Sequence, residues 1–220
     1  MLLAAVFSVL VCEGRASTLL YSEDFSGQDG QGAVGGPSGP TIDTSLVDWT
    51  IEDTSSKNFA SLKTNNADET FSVIAGRFEA RETGPRLRWI SPTIDTRGFR
   101  NLELAIDFSE AGSLQNNDNI RVWYSVDGDP SFTLIPNFNG AGNGNNTFRN
   151  DFPDTTLTES LIAGDSLRLR VDFRVRGNGQ RQFMDNIKVV GSVPVPASGA
   201  LMAGAVGLFL CCRRRPMRRR

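Results

Sequence analysis

The sequence predicts an all-β protein, an antiparallel β-sandwich of the jelly-roll kind, on three observations. From Leu167 to Arg176 every odd position is apolar and every even position charged. Only a strand with one buried face satisfies that two-residue period. Between residues 17 and 191 no stretch holds a period of 3.6 for three turns, so a helix would have no apolar stripe to bury. Gly, Asn and Asp punctuate the chain between short alternating runs, the spacing of consecutive antiparallel strands rather than of strand–helix units.

In chain order the strand candidates begin with Thr18–Phe25, Leu46–Glu52, Phe71–Ala80 and Arg86–Ile90. Leu102, Leu104, Ile106 and Phe108 then share one face of a strand, and Ile120, Val122, Tyr124 and Val126 share one face of the next. Phe132–Phe138, Thr147–Phe152, Leu167–Arg176 and Phe183–Val190 complete the set. Asp127-Gly128-Asp129-Pro130 is hairpin chemistry for the strands on either side, and Gly177-Asn178-Gly179 reads the same way for the final pair. Gly27–Pro40 and Asn137–Asn146 read as surface loops. Within the first, Gly30 to Gly35 satisfies G-x-G-x-x-G by letter, but Gly36-Pro37 stands where a helix would have to start, so no dinucleotide site follows.

The two ends differ in character from the middle. Leu2–Val11 is an apolar run leading to small residues, which predicts a secretory signal peptide over residues 1–16, cut after Ala16. Ala197–Cys212 carries no charge. As a helix its sixteen residues span about 24 Å, a short transmembrane segment, and the six arginines that follow hold its far end on the cytoplasmic side. The chain therefore divides into a signal (1–16), one sandwich domain (17–191) and a C-terminal segment (192–220). All three cysteines lie in the end segments, so no disulfide framework supports the exported domain. Of 23 basic and 25 acidic residues, seven basic and one acidic lie before Ser17 or after Cys212, leaving 16 against 24, a net charge of −8. Such a body repels nucleic acid and anionic lipid at a distance.

The chain has no histidine. Ser-His and Cys-His nucleophiles and imidazole zinc sites are thereby excluded, and thiol nucleophiles go with the absent cysteines. The reading is a non-enzymatic protein. Paired carboxylates keep a surface glycoside hydrolase as the alternative, with Asp107-Phe108-Ser109-Glu110 and Glu79-Ala80-Arg81-Glu82 as partial motifs. In a jelly roll the first and last strands lie side by side, which would bring Glu23 and Asp24 to Asp185, oxygens suited to a structural calcium ion. Asp118 and Asn119 form a second, weaker cation candidate. Trp123 is out of phase with Ile120, Val122, Tyr124 and Val126 and shares a face with Arg121 and Ser125; if that face is outward, the indole is a platform for a sugar ring. Trp49 and Trp89 are assigned to the core. Arg168, Arg170, Arg174 and Arg176 form a row that either pairs with acids across the sheet, such as Glu103 and Asp107, or holds an acidic polysaccharide.

Pro194-Val195-Pro196, the short Ala/Gly/Leu-rich helix and the Arg-rich terminus together resemble the PEP-CTERM sorting signal of Gram-negative bacteria, with Val195 where that family has Glu. The resemblance covers residues 192–220. It implies an inner-membrane exosortase as processing partner, transient anchoring in the inner membrane, and delivery to the cell surface or exopolysaccharide matrix. A second resemblance covers most of Leu19–Gly191. Ser22-Glu23-Asp24-Phe25, Trp89-Ile90-Ser91-Pro92-Thr93-Ile94-Asp95, Ile120–Gly128 and Phe183–Val189, in that order, are similar to the jelly-roll accessory modules of secreted bacterial enzymes and adhesins. That likeness implies binding or structural duty and names no ligand; extracellular polysaccharide is the partner considered, and the acidic body argues against nucleic acid.

Overall fold

The computed structural model describes residues 16–36, 40–54, 62, 69–84, 86–112, 114, 118–135, 154–176 and 179–193. Within these residues the chain forms fourteen strands and no helix. They are β1 (Ser17–Glu23), β2 (Gly32–Val34), β3 (Thr41–Asp43), β4 (Thr50–Asp53), β5 (Thr70–Ile74), β6 (Arg77–Arg81) and β7 (Leu87–Ile90). There follow β8 (Ile94–Asp95), β9 (Arg100–Ala111), β10 (Asn119–Val126), β11 (Thr133–Leu134), β12 (Thr155–Leu161), β13 (Ser166–Arg174) and β14 (Arg181–Ser192). The expected signal peptide, transmembrane helix and Pro194-Val195-Pro196 motif lie outside the described residues, apart from the edges of their segments. No helix among the described residues is long and apolar enough to cross a membrane.

Two antiparallel sheets result. The first runs β12-β9-β14-β6-β5-β2-β3, with β1 joining β14 beyond the end of β6; the second runs β11-β10-β13-β7-β4, with β8 also on β13. The adjacency of first and last strands expected from the sequence is present, Ser17 pairing with Ser192 and Glu23 with Ile187.

Strand alternation decides what lies between the sheets. Leu102, Leu104, Ile106 and Phe108 of β9 and Leu167, Leu169, Val171 and Phe173 of β13 are all buried in one core. Aromatic rings join the sheets across it: Phe173 of β13 lies 5.8 Å from Phe71 of β5 and 6.0 Å from Phe78 of β6. Trp49 and Trp89, at 1% and 0% exposure, pack beside Phe25 and Phe78, as assigned. Pairs of this kind add about 0.5–1.5 kcal/mol each beyond the area they bury.

Several elements depart from expectation. Phe71–Ala80 is a hairpin rather than one strand, because Ala75 and Gly76 both adopt positive φ (52° and 72°) and turn the chain in two residues. The glycine-rich Gly27–Pro40 segment contains β2, whose Ala33 is fully buried between β3 and β5. β13 and β14 fall in opposite sheets, so they do not pair as the hairpin read at Gly177-Asn178-Gly179, whose first two residues lie outside the described ones. β12, polar along most of its length, was not anticipated; it edges the first sheet against β9. The predicted Thr147–Phe152 strand lies outside the described residues.

Gly32 shows how tightly β2 is seated. Its φ is +125°, and a Cβ there would stand 2.4 Å from the Phe71 carbonyl oxygen. Gly128, in the turn after β10, also has positive φ (73°) but open space around it. Gly32→Ala is therefore expected to cost at least about 2 kcal/mol in urea unfolding, combining strain with overpacking, against about 1 kcal/mol for Gly128→Ala. Equal losses would mean that β2 is not held in this register.

Candidate functional site

The inward commitment of Val171 and Phe173 forces their neighbours on β13 outward. Arg168, Arg170, Asp172 and Arg174 thus share the outer face of the second sheet, and register sets what flanks them. Trp123 of β10 and Ile90 of β7 pair with Arg170; Arg121 of β10 and Arg88 of β7 pair with Asp172. The Trp123 face is therefore outward, as the sequence reading required, yet the indole is only half exposed. The Arg170 guanidinium carbon lies 4.5 Å from the Trp123 ring centre and 4.8 Å from that of Phe132, so the cation sits against both rings. The Trp123 Nε1–H has no hydrogen-bond acceptor.

Asp172 is the anomaly of this face: an outward carboxylate only 2% exposed. Arg170 Nε lies 2.9 Å from it, Arg88 Nε 3.7 Å and Arg86 Nη1 3.8 Å, while Arg88 also reaches Glu52 at 3.6 Å. The Arg170 contact is short but misaligned for a hydrogen bond, leaving both atoms without one. Burial pushes the Asp172 carboxyl up, and the arginines pull it back without reversing the direction. Burial, joined by repulsion from Arg121, lowers Arg86 to about 10. Arg170 and Arg174 are lowered too, burial again leading. The expected partners Glu103 and Asp107 do not meet this row: both lie on β9, in the other sheet.

The predicted acidic set divides. β14 pairs with β6 as far as Met184 and with β1 from Ile187, so Asp185 and Asn186 fall in the gap between those two strands. A bulge accompanies the gap, with Asp185 opposite Asp107 but Lys188 opposite Ala105, and Asn186 takes φ 48°. Here the surface forms a pocket of about 340 Å³ lined by Arg77, Asp107, Asp154, Thr156, Asp185 and Asn186. Asp107 accepts hydrogen bonds from Thr156 Oγ1 (2.6 Å) and Asn186 Nδ2 (3.0 Å), and Asp185 accepts one from the Asn186 N–H (2.7 Å). Burial raises the Asp185 carboxyl, helped by the charges of Asp107 and Asp24. Of the expected set, Asp24 acts on Asp185 through its charge and does not line the pocket. Glu23 does not join them: its carboxylate accepts from the Phe25 N–H and from Gln28 Nε2, and Gln28 in turn accepts from Trp49 Nε1, so it braces the loop over the core. Asp118 of the second cation candidate accepts from the Arg176 N–H at 2.9 Å. Among the described residues no three carboxylates converge on a point that could hold a metal ion.

No protein-family profile and no curated protein matches the sequence. Among solved structures the chain is similar to the K3 and K1 cleaved adhesin domains of Lys-gingipain from Porphyromonas gingivalis W83. Their identities are 12% and 15% and their TM-scores 0.44 and 0.42, over 80% and 79% of this chain and 99% and 97% of theirs. A family 29 carbohydrate-binding module is similar at 11% identity and TM-score 0.39, over 81% of this chain and 90% of that one. The chemistry of the site rests on this chain's own residues.

Sequence reasoning singled out Trp123, Asp185 and, in a partial carboxylate motif, Asp107, but not Phe132, Asp172 or Asn186. One signal for the bulge was present: between Met184 and Ile187 the apolar spacing widens from two residues to three.

Asp185 allows a direct check on the pocket. Its folded carboxyl titrates above the unfolded value of about 3.9, so the native state holds the extra proton and ionisation weakens the fold as pH rises through that window. With chelator present, Asp185→Asn is expected to melt higher than wild type at pH 7 and alike near pH 3.5, where both forms are neutral. A lower melting temperature at pH 7 would mean that the carboxylate makes an attraction outweighing its burial and repulsion.

Proposed function

We propose that residues 17–191 form a non-catalytic binding module of an exported protein, and that the outer face of the second sheet holds polysaccharide at the cell surface or in the extracellular matrix. The observation that supports this reading is the Trp123–Arg170–Phe132 grouping. An open sheet otherwise walled by charge carries two aromatic rings against one guanidinium group. Aromatic faces take the C–H faces of sugar rings, and polar neighbours orient the hydroxyls. Export through the N-terminal signal, sorting by an exosortase at Pro194-Val195-Pro196 and a brief stay in the inner membrane belong to the same proposal. So does a structural calcium ion beside Asp24 and Asp185, with Glu23 relegated to the loop brace.

A second reading draws on the pocket. Asp107 and Asp185 are direct cross-strand neighbours, placing their Cβ atoms about 4.5–5.5 Å apart, and the raised carboxyl of Asp185 beside a hydrogen-bonded partner is the pattern of a glycoside hydrolase acid with its companion.

Affinity electrophoresis in gels containing extracellular polysaccharide separates the two. Trp123→Ala and Phe132→Ala are expected to lose retention by about tenfold, roughly 1.4 kcal/mol, with melting temperatures near wild type, while Asp185→Asn keeps it. Reducing ends released by wild type but not by Asp185→Asn would establish the hydrolase instead. For the cation, millimolar calcium is expected to raise the wild-type melting temperature and leave Asp185→Asn unmoved.

A further inference from the structure

The arginines of the second sheet outnumber their counter-charges. Arg86, Arg88, Arg121, Arg168, Arg170 and Arg174 gather on the side of the sheet that carries Trp123, and the acids charge-coupled to them are Asp172, Glu52 and, beside Arg174, Asp118. Six against three leaves an excess of three positive charges among these groups, on a body whose net charge is −8. Asp172 is enclosed beneath the guanidinium groups, so it serves as their internal counter-ion rather than as part of what solvent meets. Glu52 stands at the rim on β4, half exposed and paired to Arg88. Arg86 Nη1 and Arg88 Nε are buried against Asp172 as ion pairs too long for hydrogen bonds, so a ligand would meet the outward ends of these side chains.

We infer that the polysaccharide taken by this face is polyanionic and carries carboxylates, a uronic-acid polymer whose sugar rings meet Trp123 and Phe132 and whose carboxylates meet the flanking arginines. This rests on the polysaccharide reading above and narrows it to a substrate class. Planar guanidinium groups match carboxylates in a two-pronged geometry that a neutral glycan cannot use. Arg168, whose guanidinium carbon lies 5.9 Å from the Phe132 ring centre, and Arg174 stand at the two ends of the row on β13, two residues from Arg170 and from Asp172 respectively, and a polymer lying along the strand passes from one to the other. The negative charge of the rest of the body repels a polyanion at long range, which confines attraction to this face and makes it salt-sensitive.

The test uses the full chain in affinity electrophoresis against polygalacturonate, dextran sulfate and neutral dextran, with duplex DNA as a non-sugar polyanion. The variants are Trp123→Ala and the double variant Arg168→Gln/Arg174→Gln, whose side chains lie away from the Asp172 ion pairs and leave the fold intact by melting temperature. Wild type is expected to bind polygalacturonate best, the double variant about tenfold more weakly, and the affinity to fall steeply between about 50 and 300 mM salt. Three outcomes overturn the inference: equal retention on dextran, tighter binding of dextran sulfate or DNA, or a double variant that binds polygalacturonate as wild type does. If Trp123→Ala abolishes dextran binding while the double variant does not, the polysaccharide reading survives and only the acidic class fails. If no glycan is retained by any form, both fail.

Discussion

Phe173 wedged against Phe71 and Phe78 is the contact from which the rest of the molecule takes its arrangement. In a strand the side chains alternate strictly, so fixing one inward residue fixes the facing of every neighbour. With Phe173, Val171, Leu169 and Leu167 in the core, the arginines of β13 and Asp172 have no choice but the outer face. A slip of one residue would bury four ionic groups and expose four apolar ones. The cost of that error is far beyond the stability of a domain this size, so register on β13 is among the most firmly specified features of the fold.

That same register creates the tension on the outer face. Crowded guanidinium groups repel one another, and enclosing Asp172 among them exchanges hydration for three ion pairs of uneven geometry. Buried pairs of this sort seldom gain net stability over apolar packing, because desolvation offsets the attraction. The raised Asp172 and lowered Arg86 carry the same message from both partners. Stability alone would not favour such a face. The proposed polyanion would offset the excess of arginines around the two aromatic rings. The opposite outer face is built differently, around the bulge at Asp185 and Asn186, where β1 and β6 fail to meet along β14 and leave a small acidic pocket.

Much of the sandwich was legible in the sequence because alternation is a local signal. β9, β10, β13 and β14 announce themselves by period two, Trp49 and Trp89 keep phase with core residues, and Trp123 breaks phase with its neighbours and does face outward. Where the signal is short or weak the reading failed. β2 has three residues in a glycine-rich stretch, and only its seat against β5 makes it a strand. The Ala75-Gly76 turn lacks the Asn-Gly or Asp-Gly pair that marks most two-residue hairpins, so one strand was read where there are two. Sheet membership is not encoded locally at all, which is why the arginine row was matched to Glu103 and Asp107 in the wrong sheet. The burial of Asp172 depends on Arg86 and Arg88, more than eighty residues earlier in the chain, and no window along the sequence brings them together.

The central claim is that ligand engagement belongs to the outer face of the β10–β13 sheet. Hydroxyl-radical footprinting of the full chain, with and without polygalacturonate, reports on it residue by residue. Protection of Trp123 and Phe132 is expected upon adding the polymer, with the exposed Leu19 and Ile42 of the first sheet unchanged. Protection confined to the first sheet, or Trp123 and Phe132 oxidised equally in both states, would contradict it.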